Sequence, residues 1–159
     1  MSPMLVQLNR QPGVHDFSAT ATDLPINPGG LPRARGPLPV VAVLGHPGRV
    51  AGLPQHLPGG WSLRPVAEIG DVQPDEIVLF AGARVLEIEA ARRALPSRTL
   101  IVALVDDEAP GSMVAGVLTA GADVCVRGGQ PAILAGHLVA ARRRQFAERW
   151  SRLDEQMRH

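Results

Sequence analysis

The sequence predicts an α/β fold, a doubly wound five-stranded parallel sheet with helices on both faces, followed by a long C-terminal helix. Three observations support this prediction. Five apolar segments of strand length alternate with helix-compatible stretches between residues 39 and 126. Three of these segments are continuous and rich in β-branched residues, which is typical of central parallel strands covered on both faces. The last stretch, Pro131–His159, starts with a proline and contains only one later glycine and no later proline.

The predicted strands follow one another in the order PVVAVL at 39–44, SLRPVAEI at 62–69, EIVLF at 76–80, LIVALV at 100–105 and DVCV at 123–126. Helices are expected between them over Arg49–His56, Arg84–Leu95 and Ser112–Ala120. In the second helix, Leu86, Ala90 and Ala94 recur every four residues and are expected to form its apolar face. Pro96 is expected to end that helix.

The chain is expected to divide into three parts. Residues 1–38 contain six prolines and four glycines, a composition that rarely packs as regular structure, so we expect a disordered or loosely attached arm. An extra strand or clamp on the domain surface is the alternative. The domain proper is expected over residues 39–145, and residues 146–159 form the projecting end of the last helix.

Composition excludes several classes of function. The 159 residues include 16 cationic side chains, all arginine, against 15 acidic ones, a net charge of +1. Without lysine there is no P-loop lysine and no Schiff-base chemistry. The single cysteine, Cys125, excludes an intramolecular disulfide and a multi-cysteine zinc site. No apolar run reaches the roughly 18 residues of a membrane span, and no signal-peptide pattern opens the chain, so a cytoplasmic location is expected.

The second half of the last helix carries a regular apolar pattern. Phe146, Trp150, Leu153 and Met157 are spaced 4, 3 and 4 residues apart, as in a heptad seam. A helix that projects beyond its domain with such a seam is expected to bind a partner, and two copies that share the seam would form a symmetric homodimer. The alternative is that the helix folds back onto its own domain.

Charge is distributed unevenly along the chain. Residues 39–129 carry seven arginines and ten acidic residues, net −3, whereas residues 130–159 carry six arginines and three acidic residues, net +3. The run Arg142, Arg143 and Arg144 is suited to binding an acidic protein partner, nucleic acid or a membrane surface. Nucleic acid is the less favoured alternative for these arginines, because no aromatic side chains are interleaved with them for stacking on bases.

Several phrases in the predicted order resemble a response-regulator receiver domain, over roughly residues 39–145. PDEIVLF at 74–80 is similar to the family's third strand, PDLVLLD, and LTAGADVCV at 118–126 is similar to its LxAGADDYL. Residues 132–144 resemble the family's fifth helix with its arginine-rich end. The resemblance implies a flavodoxin-like sheet with the strand order 2-1-3-4-5.

The resemblance also implies where the family's phosphorylation chemistry would lie, and this sequence lacks the required residues. Gly45 and His46 stand where carboxylates hold Mg²⁺ in the family. Phe80 stands at the phosphoacceptor aspartate. Asp106, or Val105 if the register shifts by one residue, corresponds to the hydroxyl residue that closes the fourth strand, and Gly128 corresponds to the invariant lysine.

The resemblance therefore implies a degenerate form, a pseudo-receiver that keeps the fold and has lost phosphorylation. We expect a regulatory or adaptor module that binds protein, with no catalysis, no cofactor and no metal. In the family the signalling face is formed by the fourth helix, fifth strand and fifth helix, here Met113–Leu118, Val124–Val126 and Ile133–Arg144. Together with the seam, this face predicts the interface residues Val114, Val124, Leu134, Leu138, Arg142, Phe146, Trp150, Leu153 and Met157.

Two other functions are kept as alternatives. One is a localisation domain that partners, in trans, an ATPase of the pilus or septum-positioning type. The other is a nucleotide-sensing or metal-sensing α/β domain that uses the turn Gly45–Gly48, Asp71 and Asp106–Glu108 at the carboxyl edge of the sheet. Pro47 weakens the nucleotide alternative, because it removes a backbone donor from the turn.

Overall fold

A computed structural model describes residues 38–159, and the expectations for the N-terminal arm lie outside the described residues. The strands are β1 (Val40–Gly45), β2 (Ser62–Pro65), β3 (Ile77–Ala81), β4 (Ile101–Val105) and β5 (Val124–Arg127). The α-helices are α1 (Val85–Ala94), α2 (Gly111–Ala120) and α3 (Pro131–Met157). Short 3₁₀ helices span Pro47–Val50, Leu53–His56 and Ile69–Asp71.

All five strands are parallel and are arranged in the order β2-β1-β3-β4-β5, which confirms the predicted fold class. Every residue of β3 and β4 is buried. This burial explains why their sequences are continuously apolar, since a central parallel strand is covered on both faces. The carboxyl ends of the strands consequently meet at one edge of the sheet, and the amino ends meet at the other.

The two faces of the sheet are covered by different elements. Leu79 and Ala81 belong to an apolar cluster that includes residues of α3 and of the 3₁₀ turns after β1. Val78 and Phe80 belong to the opposite cluster, which includes residues of α1 and α2. The alternation along one strand follows from the two-residue period of β-structure, and it places a separate apolar core on each side of the sheet.

The connection from β1 to β2 differs from the prediction, because the helix expected over Arg49–His56 is replaced by two 3₁₀ turns. Pro54 has no N–H for an interior helical hydrogen bond. A side chain at Gly52 would approach the ring of Pro131 to 3.1 Å, so this segment packs closely against the start of α3. The strand expected over 62–69 is also shorter and ends at Pro65, another residue that cannot donate to the sheet.

The apolar face predicted for α1 is wrong. Ile88 and Ala91 are the buried residues of this helix, whereas Leu86 is 77% exposed. Val85 and Leu95 pack beside Ile88 against the sheet. This stripe presents larger apolar side chains than one leucine with two alanines, so it buries more apolar surface.

The long C-terminal helix is confirmed as α3, whose 27 residues span about 40 Å at 1.5 Å per residue. Its buried residues are Leu134, Ala135, Leu138 and Ala141, all in the first half. From Phe146 onward every residue is exposed. The first half of α3 therefore packs on the sheet, and the second half extends beyond it.

Candidate functional site

The carboxyl edge of the sheet is where the resemblance places phosphorylation. At this edge Gly45 lies at the end of β1, directly against the end of β3. Gly45 has a φ of +93°, and a Cβ atom built there would lie 2.3 Å from the carbonyl oxygen of Ala81. The backbone N–H of His46 donates to the same oxygen at 3.2 Å. A carboxylate side chain at position 45 would require the backbone to move.

Phe80, at the position of the phosphoacceptor aspartate, is 7% exposed. It pairs with Leu44 on one side and Ala103 on the other. Its ring belongs to the cluster under α1 and α2, together with Ile88 and Val117. Position 80 therefore contributes an apolar side chain to the core.

Asp106 is held by an arginine that the sequence did not single out. Its Oδ1 accepts a hydrogen bond from Nη1 of Arg49 at 2.7 Å. A Cβ built at Gly82 would lie 3.4 Å from the same Nη1, so the guanidinium crosses the end of β3. Both side chains are well exposed, and such a pair contributes only about 0–1 kcal/mol to stability. The sequence did not identify Arg49, because a helix was expected over Arg49–His56 and gave no indication that this side chain lies beside the end of β3.

Gly128, at the position of the invariant lysine, lies close to the end of β4. Its N–H donates to the carbonyl oxygen of Val105 at 2.8 Å, and a Cβ at Gly128 would lie 3.0 Å from that oxygen. The adjacent cavity, lined by residues that include Arg49 and Pro131, has a volume of about 20 Å³. That volume holds about one water molecule, so this cavity has no room for a larger ligand.

The side chains suggested for metal sensing do not lie together in the structure. Within residues 38–159, no three His, Cys, Asp or Glu side chains come together as a metal site requires. Asp71, which that alternative needs beside Asp106, lies instead next to Arg64, whose Nη2 donates to its backbone oxygen at 2.7 Å.

Arg64 also forms the best-buried ion pair of the described residues. Its Nε and Nη2 donate to the two carboxylate oxygens of Glu76 at 2.9 and 2.8 Å. The N–H of Gln73 donates to the same carboxylate at 2.9 Å. Glu76 is 9% exposed, and its hydrogen bonds with Arg64 hold its pKa below the usual value. This pair connects β2 to the start of β3.

The face formed by α2, β5 and the start of α3, which the resemblance identifies with the family's signalling face, differs in composition from the expected interface. Val124, Leu134 and Leu138 are only 8%, 3% and 0% exposed, because their side chains pack in the core against the sheet. We therefore remove all three from the interface. Val114 is partly buried against the opposite cluster. The exposed large apolar side chains of this face are Met113, Leu118 and Ile133.

The seam residues of α3 are all exposed. Phe146 and Leu153 are each 43% exposed, Trp150 is 68% exposed and Met157 is 79% exposed. The guanidinium carbon of Arg142 lies 4.6 Å from the centre of the Phe146 ring, which is a cation–π contact. Arg142 is half-buried, whereas Arg143 and Arg144 are exposed, so the three arginines have different environments.

A groove of about 630 Å³, the amino-edge groove, lies at the opposite edge of the sheet. Its walls are the segment 69–76 before β3, the segment 94–100 before β4 and the stretch 141–153 of α3. Five arginines line it: Arg98, Arg142, Arg144, Arg149 and Arg152. The sequence did not predict this groove, because its walls come from three distant segments.

No membrane-spanning helix is found in the described part of the chain, since no helix there combines the required length with sufficient apolar character.

Comparisons with known proteins give the fold. No family model matches the chain. No curated protein matches it either. A solved structure of a CheY-like response regulator receiver domain protein from Methanospirillum hungatei JF-1 is similar, with a TM-score of 0.55 and 17% sequence identity. The match covers 69% of this chain and 97% of that one. Together with the strand order, this similarity shows that the described part of the chain contains a receiver-like α/β fold.

Proposed function

We propose that this chain is a pseudo-receiver, a regulatory or adaptor module of the cytoplasm that binds protein without being phosphorylated and catalyses no reaction. The observation that carries the proposal lies at positions 45 and 80, neither of which presents a carboxylate at the carboxyl edge of the sheet. A side chain at Gly45 would collide with the carbonyl oxygen of Ala81, and the side chain of Phe80 is buried in the apolar core.

Transfer of a phosphoryl group to an aspartate needs a carboxylate nucleophile, a hard cation on oxygen ligands and a positive charge near the phosphoryl oxygens. Phe80 supplies no nucleophile. Arg49 supplies a positive charge, but its guanidinium is paired with Asp106 at 2.7 Å. The remaining groups at this edge therefore support a structural role.

A receiver-like module without a phosphoryl input has its surface fixed in one state, or biased by a binding partner. Two sets of exposed apolar side chains support binding of protein: Met113, Leu118 and Ile133 on the signalling face, and the seam of α3. We propose that the chain associates with itself through this face and the seam, to form a homodimer.

The absence of phosphorylation is tested by incubating the full chain with acetyl phosphate and Mg²⁺ and measuring its intact mass. A receiver domain that retains its aspartate serves as the positive control. We expect an acid-labile phosphoryl adduct on the control and none on this chain. An adduct on this chain would contradict the proposal.

Self-association through the seam is tested by light scattering of the double variant Trp150→Ser/Met157→Ser. We expect its mass to fall towards that of the 16.8 kDa chain, because two exposed seam residues no longer contribute apolar contacts. Leu86→Ser is the matched control, since Leu86 is equally exposed but lies on α1. An unchanged mass for the seam variant would show that the seam is not the contact.

A further inference from the structure

The amino-edge groove carries an excess of positive charge that the other described residues do not neutralise. Four acidic residues line it beside the five arginines. Glu76 is already bound by Arg64. The carboxylate of Asp123 accepts a hydrogen bond from the N–H of Ile101 at 2.8 Å and lies 3.8 Å from Arg92. Glu148 lies 3.9 Å from Arg152, which leaves Asp75 to face the other arginines.

Arg142 is the least exposed of these arginines. Its Nε is buried and has no hydrogen-bond partner within residues 38–159. Its Nη1 donates to the side chain of Gln145 at 3.0 Å and lies 3.4 Å from the backbone oxygen of Asp75. Burial lowers the pKa of this guanidinium. A partly buried cation is normally balanced by an anionic group, so the groove favours an acidic ligand.

The same chain presents an acidic loop at the other edge of the sheet. Residues 106–110 follow β4 and read Asp-Asp-Glu-Ala-Pro. Asp107 and Glu108 are exposed, and neither forms an ion pair among the described residues. Pro110 is also exposed. The loop therefore offers two free carboxylates next to a small apolar side chain.

We propose that the amino-edge groove binds the acidic loop Asp106–Pro110 of a second copy of this chain. The carboxylates of Asp107 and Glu108 meet the arginines of the groove, and Pro110 packs near Phe146. The groove volume of about 630 Å³ is in the range of peptide-sized and ligand-sized sites. This inference deepens the proposed self-association. The groove shares Phe146 and Leu153 with the seam but not Trp150 or Met157, and the acidic loop lies outside the seam.

The two surfaces are different and lie at opposite edges of the sheet, so the contact is head-to-tail. A head-to-tail contact continues from copy to copy into an open chain or a ring, unlike a symmetric dimer. The overall charge distribution fits this arrangement, because residues 39–129 carry net −3 and residues 130–159 carry net +3. Since exposed charges dominate the contact, it is expected to weaken at high salt.

The test begins with the variant Trp150→Ser/Met157→Ser, which disables the seam. Neither residue lines the groove. Light scattering is measured over a range of protein concentrations, at ionic strengths of about 0.02 M and about 0.5 M. We expect the mass to rise with concentration above 16.8 kDa at low salt and to return to that value at high salt.

Charge reversal then identifies the two surfaces in this background. Arg149→Glu/Arg152→Glu reverses the groove, and Asp107→Arg/Glu108→Arg reverses the loop. Each double reversal alone is expected to abolish the rise in mass, and an equimolar mixture of the two is expected to restore it. The mixture pairs a negative groove with a positive loop and a positive groove with a negative loop, so both contacts form between the two chains.

Matched controls reverse equal charges elsewhere. Arg143→Glu/Arg158→Glu changes one residue of α3 and the residue just after its end, both outside the groove, and Glu87→Arg/Glu89→Arg lies on α1. Both are expected to keep the rise in mass. A seam-disabled parent that stays monomeric at every concentration and low salt would overturn the head-to-tail contact. The head-to-tail contact would also be overturned if either double reversal alone left association intact. The same holds if the mixture of the two failed to restore association.

The outcomes separate this inference from the proposed function. If the unmodified chain is a dimer and the seam-disabled parent is monomeric at both salt concentrations, only the head-to-tail contact is wrong. If the unmodified chain is itself monomeric under all conditions, the proposed self-association is wrong as well. If the groove binds an acidic peptide of another protein but not the loop of this chain, the choice of a second copy is wrong.

Discussion

Two glycines at the carboxyl edge of the sheet lie too close to neighbouring strands to be replaced easily by residues with side chains. The sequence identified Gly45 and Gly128 as substitutions of functional residues in the receiver pattern. The structure adds that Cβ atoms there would lie 2.3 and 3.0 Å from carbonyl oxygens of neighbouring strands. Such distances depend on the packing of the sheet, so the sequence could not predict them.

Gly45→Asp tests whether position 45 can accept a side chain. The substitution places a side chain at a φ of +93° and against the oxygen of Ala81. The backbone strain alone is expected to lower the free energy of unfolding by about 1–3 kcal/mol. Gly48→Asp is the control, because nothing lies within 4 Å of a Cβ there. Urea denaturation of both variants measures the difference in unfolding free energy. Equal stability of the two would show that position 45 accepts a side chain.

The ion pair of Glu76 predicts a dependence of stability on pH. Because hydrogen bonds from Arg64 lower the pKa of Glu76 below its usual value of 4.5, the carboxylate stabilises the folded state fully above that value. This contribution is lost as the pH falls through the lowered pKa. Glu76→Gln is expected to have a lower Tm than the unmodified protein near neutral pH, and the gap should narrow in acid. A gap that is constant across this pH range would contradict the role of the ion pair.

At the scale of elements, the sequence predicted the strands better than their connections. Continuous β-branched runs are distinctive, so the central strands β1, β3 and β4 were located to within about one residue at each end. The segment after β1 fits a helical pattern, but prolines convert it to 3₁₀ turns. In α1 two stripes of apolar residues compete, and only the sheet determines which of them is buried.

Ile88→Ala and Leu86→Ala measure which stripe of α1 packs on the sheet. Ile88 is fully buried, so its truncation is expected to cost about 2–5 kcal/mol of unfolding free energy. Leu86 is 77% exposed, and its truncation is expected to change stability by less than about 0.5 kcal/mol. Thermal and urea unfolding give both values. Equal losses for the two variants would show that the helix is rotated from the position described.

At the scale of the whole molecule, the sequence drew attention to the carboxyl edge of the sheet, whereas the structure shows a large groove at the amino edge. The sequence predicted the loss of chemistry at the carboxyl edge, because the motif positions are recognisable one by one. It did not predict the amino-edge groove, because Asp75, Arg98 and Arg142 come together only through the fold. The seam of α3 was predicted from its spacing alone, and the structure leaves it exposed.

The proposed interaction surface of this receiver-like domain is expected to bind its partner without a phosphoryl group. Light scattering of the full chain, with and without acetyl phosphate and Mg²⁺, measures this. We expect a mass above that of the 16.8 kDa monomer that is the same in both conditions. A chain that is monomeric alone and associates only after treatment with acetyl phosphate would show that phosphorylation is required.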